Sequence, residues 1–304
     1  MNGFLVFDKP AGMTSHDVVA IVRRVLKLKK VGHTGTLDPF ATGVLPVALG
    51  DATKVIPYLD ESVKEYNAVM RLGVTTDTQD LTGKVLFEKE FDSVTEAKLV
   101  AAFADFTGPI SQIPPMFSAV KQGGVPLYKK ARRGEEVERL PRQIIISSLS
   151  VDHFKLPFVT FTVSCSRGTY VRTLANDLGT ALGCGAHLTE LRRLRSGLFT
   201  ENMAISLELL QKDLVEGNLS DKLISPLQAL SHLPILTLTD AGAKNVGFGR
   251  SPANSDFETY PEGGISIGQT VLLVHRNTLL AIGSGEDSTG SDREKTVRLL
   301  RVFA

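Results

Sequence analysis

Gly32-His33-Thr34-Gly35-Thr36-Leu37-Asp38-Pro39-Phe40-Ala41-Thr42-Gly43, running on into Val44-Leu45-Pro46, is a loop built around one acid. Its three glycines permit backbone angles closed to other residues, and Pro39 drives Asp38 toward extended backbone while offering no amide proton. One carboxylate is thereby held in a fixed geometry. No lysine or arginine lies close to it in sequence, so its counter-charge must come from elsewhere in the fold. Two readings of Asp38 stand on these residues alone: a catalytic carboxylate, or an Asx-type turn in which the side chain bonds its own backbone.

On the N-terminal side of the loop, Gly3 to Asp8 alternates as a strand and Lys9 to Thr14 turns. Ser15 is expected to cap an amphipathic helix with Val18, Val19, Val22, Val25 and Leu26 on one face. On the other side, Val44 to Leu49 predicts a strand, Asp51 the cap of a short helix, Glu65 to Leu72 a second strand, and Thr76 to Gly83 a polar turn. Lys84 to Phe91 predicts another strand, and Thr95 begins a helix that ends before Gly108-Pro109. Residues 110–142 hold Pro114-Pro115, Gly123-Gly124 and dense charge, which predict an exposed excursion. Ile144 to Lys155 and Phe158 to Ser164 read as paired strands, and Thr169 to Leu182 as a helix with Arg172 in its first turn. Ser206 to Val215 predicts a further helix, Pro226 starts a short one, and Leu233-Pro234 leads into a tail of short β segments and glycine-rich turns. The expected fold class is α+β. A mixed, largely antiparallel sheet would form the main domain, residues 1–232, and a small β-barrel the tail, residues 233–304.

Composition narrows the function classes. A chain of 304 residues exceeds the usual size of one core. No apolar run approaches the roughly 20 residues of a membrane span, and Asp8 and Lys9 interrupt the first apolar stretch, so a cytoplasmic protein without signal peptide is expected. Cys165 and Cys184 stand far apart without ligand spacing, predicting buried reduced thiols and neither metal site nor disulfide. The net charge of +1 is low for a nucleic-acid binder. Its distribution says more. Basic residues gather at 23–30, at 121–133 and at 167–195, while acids dominate after residue 200, a segregation suited to one phosphate-binding face. Asp256, Glu258, Glu262, Glu286 and Asp287 weigh against strong phosphate binding by the tail.

Together with Lys9-Pro10-Ala11-Gly12-Met13-Thr14-Ser15 and Arg167-Gly168-Thr169-Tyr170-Val171-Arg172-Thr173, the Asp38 loop resembles that of the bacterial tRNA pseudouridine-55 synthases of the TruB family. The likeness continues in order through Tyr66, Arg71-Leu72-Gly73, Thr76-Asp77-Thr78-Gln79-Asp80, the Gln112 to Ala119 run and Gly183 to Leu188, and thins beyond residue 235. It implies a pseudouridine-synthase catalytic domain with a PUA-like RNA-binding module at the C-terminus. It also implies isomerisation of uridine to pseudouridine at position 55, in the T-loop of tRNA. That reaction breaks the bond from sugar C1′ to base N1, turns the uracil and rejoins it through C5, with no redox change, so neither cofactor nor metal is expected.

The resemblance implies Asp38 as the essential carboxylate, Arg172 as its ion-pair partner, and Tyr66 as a ring stacked on the uracil whose hydroxyl helps remove the C5 proton. It implies substrate-binding roles for His33, Lys9, Leu191 and Asp80: His33 filling the space of the displaced base, Lys9 bracing the loop, Leu191 forming an apolar wall. Residues 110–142 would grip RNA, with Lys129, Lys130, Arg132, Arg133, Arg192 and Arg193 on its backbone. The expected partner is the tRNA T-arm, met by a monomer without guide RNA or membrane.

On the residues alone, plainer readings stay open. Arg172 would pair with Asp177 or a phosphate, Tyr66 and Leu191 would be core, His33 would bond its own loop, Lys9 would be a solvated strand end and Asp80 would bond its own turn. Three other functions also stand. An RNA chaperone would open tRNA with little or no catalysis. An aspartate-based glycosidase would need a second carboxylate beside Asp38 and would release free uracil. The guide-dependent branch of the same superfamily shares this type of loop.

Overall fold

The computed structural model describes residues 1–261, 265–286 and 296–303. Glu262 and Asp287 lie outside them. The architecture is mixed α+β, and its centre is a ten-stranded sheet. Along its main path the strands run Ala204–Ile205, Gly3–Lys9, Thr42–Leu49, Ala186–Ser196, Lys64–Leu72, Phe158–Cys165, Arg142–Lys155 and Gly108–Gln112. Two pairings are parallel, Gly3–Lys9 with Ala204–Ile205 and Thr42–Leu49 with Ala186–Ser196; the others on this path are antiparallel.

Apolar side chains on both faces of the central strands explain this order. Leu5 and Phe7 point one way, against Val18, Val19 and Val22 of helix α1 (Ser15–Val25). Phe4 and Val6 point the other way, against Leu272, Val274, Leu279 and Ile282 of the tail. Strand Thr42–Leu49 divides likewise, Leu45, Val47 and Leu49 from Val44 and Ala48. A strand covered on both faces reads as a continuous apolar run, as Val44 to Leu49 does. Farther along the sheet, Leu99 and Phe103 of helix α2 (Glu96–Asp105) pack with the sheet residues Met70, Leu72 and Phe161.

Several local expectations change. Helix α1 is capped by Thr14, whose hydroxyl accepts from Asp17 N while Asp17 answers to Thr14 N in a capping box. Ser15 is instead the first helical residue and bonds the Asp38 loop. Asp51 lies inside a 3₁₀ turn, Gly50–Lys54, paired with Lys30 and Lys54. The strand expected at 84–91 shrinks to Val85–Glu88, all of it exposed and paired only to Val74–Thr76. The excursion begins later than expected, because Gly108–Gln112 is an edge strand of the main sheet. Beyond it lie a ribbon, Lys121–Gln122 with Val125–Pro126, and the short helix α3 (Leu127–Ala131).

Helices α4 (Val171–Ala181), α5 (Leu207–Glu216) and α6 (Pro226–Ala229) follow. In the tail, strands Ile235–Thr237, Thr270–His275, Thr278–Glu286 and Thr296–Val302 make a four-stranded sheet, with a helix the sequence did not announce, α7 (Asp240–Gly247). Cys165 and Cys184 are buried free thiols. No helix among the described residues is long and apolar enough to cross a membrane.

Candidate active site

Asp38 meets its cation across the sheet. Arg172 stands in the first turn of α4 with only 4% of its side chain exposed, its Nε 2.8 Å from Asp38 Oδ2 and its Nη2 donating to Asp38 Oδ1 at 3.1 Å. The remaining donors reach Thr78 O at 2.8 Å and Phe117 O at 3.0 Å. Arg172 therefore gathers the Asp38 loop, the 76–80 turn and the start of the excursion at one point. No local Asx turn uses Asp38: the turn closes through its main-chain oxygen, which accepts from Ala41 N. Nor does Arg172 reach Asp177, whose carboxylate accepts from Asn176.

The sequence left a second carboxylate in doubt, and the fold brings it in. Asp80 Oδ2 lies 3.4 Å from Arg172 Nη1, while Oδ1 accepts from Thr78 Oγ1, Thr82 Oγ1 and Thr82 N. Gln79, next to it, takes a φ of 63°, held by Thr173 Oγ1 on its amide oxygen and Leu188 N on its carbonyl. Behind Arg172, Gln112 both donates to Tyr170 O and accepts from Tyr170 N, fastening the sheet edge to the N-terminus of α4. These supports were illegible in sequence.

Burial pushes the Asp38 carboxyl above the usual carboxylate range; the Arg172 guanidinium pulls against this and the Asp80 charge adds to it. About a third of the Asp38 side chain, 31%, still reaches solvent, so the acid is accessible while its partner is not.

The loop is braced from beneath. Lys9 is fully buried, and its Nζ donates to Pro10 O, Met13 O and Pro39 O. With all three donors spent on carbonyls it cannot contact substrate, which corrects the substrate-binding expectation and leaves the bracing one. Desolvation lowers its ammonium to about 8. Ser15 Oγ accepts from Leu37 N at 2.9 Å. Gly12 N donates to Pro39 O. Of the loop's glycines only Gly43 uses a positive φ, 97°, and a Cβ there would lie 2.3 Å from the Arg193 carbonyl oxygen.

Tyr66 and Leu191 line the same cluster as Leu37 and Ala41, each 7% exposed. Burial raises the Tyr66 phenol, with the Arg193 guanidinium acting against it. His33 Nδ1 is buried with no hydrogen-bond partner among the described residues, and the ring meets His16 edge-on at 5.1 Å. Desolvation and the charges of His16 and Arg193 lower it to about 4, so it is neutral at working pH.

One expected RNA contact fails. Arg193 is fully buried, Nε donating to Val44 O and Nη2 to Gly35 O. Arg192, its neighbour on the opposite face, is held by both Asp8 oxygens at 3.0 Å and by Glu201. A period-two strand separates adjacent side chains: Arg193 is closed to phosphate, whereas the Arg192 side chain, 34% exposed, is ion-paired at the surface. Lys129 and Arg133 are exposed on and after α3, and Arg132 lies over the Tyr128 ring at 5.6 Å. Lys130 donates to Gln122.

Residues 23–171 match the N-terminal domain of the TruB family pseudouridylate synthases, and residues 172–231 match the tRNA pseudouridylate synthase B C-terminal domain. The chain is 55% identical over 303 residues to a Geobacter sulfurreducens protein named tRNA pseudouridine synthase B, covering all of both. The chain belongs to the TruB family of pseudouridylate synthases. A second relative of the same name, from Geotalea uraniireducens, is also 55% identical and is covered over 98% of its length. Among solved structures, the Cbf5 chain of a Cbf5-Nop10-Gar1 complex superposes with a TM-score of 0.75 at 31% identity, across 99% of this chain and 85% of that one.

Proposed function

We propose that this enzyme isomerises uridine to pseudouridine in tRNA, at position 55 of the T-loop, with Asp38 as the essential carboxylate. Pseudouridine formation in tRNA is the activity named for its full-length relatives. The observation that carries the catalytic assignment is the ion pair between a partly exposed Asp38 and a buried Arg172, whose planar fork keeps the acid charged in a desolvated site. The reaction breaks C1′–N1 and forms C1′–C5; N1 gains a proton and C5 loses one. Attack on the sugar, attack on the base and proton removal from C2′ all begin with the same ionised oxygen.

A stacked base cannot reach Asp38, so the target nucleotide is turned out at a cost of a few kcal/mol. The Tyr66 ring receives the uracil, Leu191 walls it, and the neutral His33 face takes the space left behind. Asp80 and Arg172 act as a unit that sets the position and charge of Asp38. Residues 110–142 grip the T-arm through Lys129, Lys130, Arg132 and Arg133, in a catalytic unit of residues 1–232 followed by an RNA-binding unit of residues 233–304.

Mass mapping of unmodified tRNA after incubation with the purified protein tests the reading. One new pseudouridine in the T-loop is expected. Binding without product would favour the chaperone, and release of free uracil the glycosidase.

A further inference from the structure

We propose that Arg193 is a positioning residue for the reaction: a buried guanidinium that locks the catalytic loop to the sheet and sets Tyr66 in register with it. The inference rests on the roles given above to Asp38 and Tyr66. In the antiparallel pairing of Ala186–Ser196 with Lys64–Leu72, Arg193 lies directly opposite Tyr66, so the two side chains rise from one face about 5 Å apart at Cβ. On its other flank Arg193 pairs with Gly43, the residue whose missing side chain admits the Arg193 backbone.

From there the side chain runs beneath the loop, Nε donating to Val44 O at 2.7 Å and Nη2 to Gly35 O at 3.2 Å. Gly35 and Val44 stand on either side of Asp38 in sequence. One side chain therefore pins both limbs of the segment that carries the acid, and its strand position fixes the distance from that segment to the Tyr66 ring.

Its charge has no counter-ion: none of the ion pairs among the described residues includes Arg193. The groups that feel it are chiefly cationic or neutral, namely Lys9, His33, Lys64 and Tyr66, and the nearest acid beside Lys64 is Glu61, 3.9 Å from that ammonium. A buried, uncompensated charge costs stability that an apolar side chain of similar volume would not. Packing alone does not explain it. Fixing both limbs of a catalytic loop with one planar, multidentate group does.

The test compares wild type, Arg193→Met and Arg193→Lys by single-turnover pseudouridine formation, by tRNA Kd, and by NMR titration of the His33 ring. Arg193→Met should cut the rate roughly 10²-fold, the scale of an ångström-sized misplacement, with Kd changed less than about threefold. His33, near 4 in the wild type, should titrate higher once the neighbouring positive charge is gone; looser packing would also raise it by easing desolvation, and the lysine variant, which keeps the charge, separates the two causes. Arg193→Lys keeps the charge but cannot reach both carbonyls, and should lose roughly tenfold in rate with His33 unmoved.

A wild-type rate in Arg193→Lys, or equal losses of rate and affinity in either variant, would overturn the proposal. If Arg193→Met does not fold, the lysine variant decides alone. If the wild type makes no pseudouridine, the proposed function fails, while the His33 titration still tests the placement of Arg193.

Discussion

Asp38 and Asp80 share one guanidinium, and the sharing has a sign that can be measured. The Asp80 charge raises the Asp38 carboxyl, so deprotonation of Asp38, and activity with it, is lost as pH falls through a midpoint above the ordinary aspartate value of about 3.9. Asp80→Asn removes the like charge, and the acid limb of the pH–rate profile should move to lower pH even as the maximal rate drops. An unmoved or raised limb would show that Asp80 does not act on Asp38. Arg172→Lys keeps a charge but loses the fork, so turnover should fall by roughly tenfold or more beyond any change in Kd. Asp38 and Arg172 were legible from their motifs. Asp80 as partner to Arg172 was not, because the pair joins a turn and a helix far apart in sequence. The burial of Arg193 did have a signal: Leu191 reads as an inward wall, and two residues on along a strand is the same face.

Among the elements, helix α1 does more than cover the sheet. Its first residue, Ser15, satisfies the buried Leu37 amide immediately before Asp38. Ser15→Ala leaves that amide without its partner and should cost about 1–3 kcal/mol in urea unfolding, with a matching loss of turnover because the loop is released. A loss of stability with full activity would mean that the loop holds its shape unaided. The sequence located α1, α2, α4, α5 and α6 to within a few residues, since apolar spacing and caps are local signals. It misplaced the α1 cap by one residue, because Thr14 and Ser15 are both good caps and only Thr14 has Asp17 three residues on. It missed α7, a helix of eight residues in which Gly242 and Gly247 weaken an already short period.

At the scale of the molecule, the tail and the catalytic sheet share an apolar cluster, with Phe4, Val6 and Val44 on one side and Leu272, Val274 and Ile282 on the other. Leu272→Ala should therefore destabilise by about 2–5 kcal/mol, and the whole chain should unfold in one transition. A separate early transition of the tail would contradict that union. The sequence placed a boundary near residue 233 from turn chemistry, but a core built across that boundary has no local signature. The charge pattern was similarly half-legible. The cluster at 129–133 is largely solvent-facing, whereas Arg193 is consumed within the fold and Arg192 is ion-paired to Asp8 and Glu201 at the surface. Replacing Lys129, Lys130, Arg132 and Arg133 by Ala should weaken tRNA binding and flatten its salt dependence, by up to about one unit of slope for each phosphate that the variant no longer neutralises.

The catalytic role proposed for Asp38 is tested most directly by single-turnover pseudouridine formation with Asp38→Asn on unmodified tRNA, alongside its tRNA Kd. The expected result is a rate lower by at least roughly 10³-fold with Kd near that of the wild type. Pseudouridine formed at a wild-type rate by the asparagine variant would refute the assignment of Asp38.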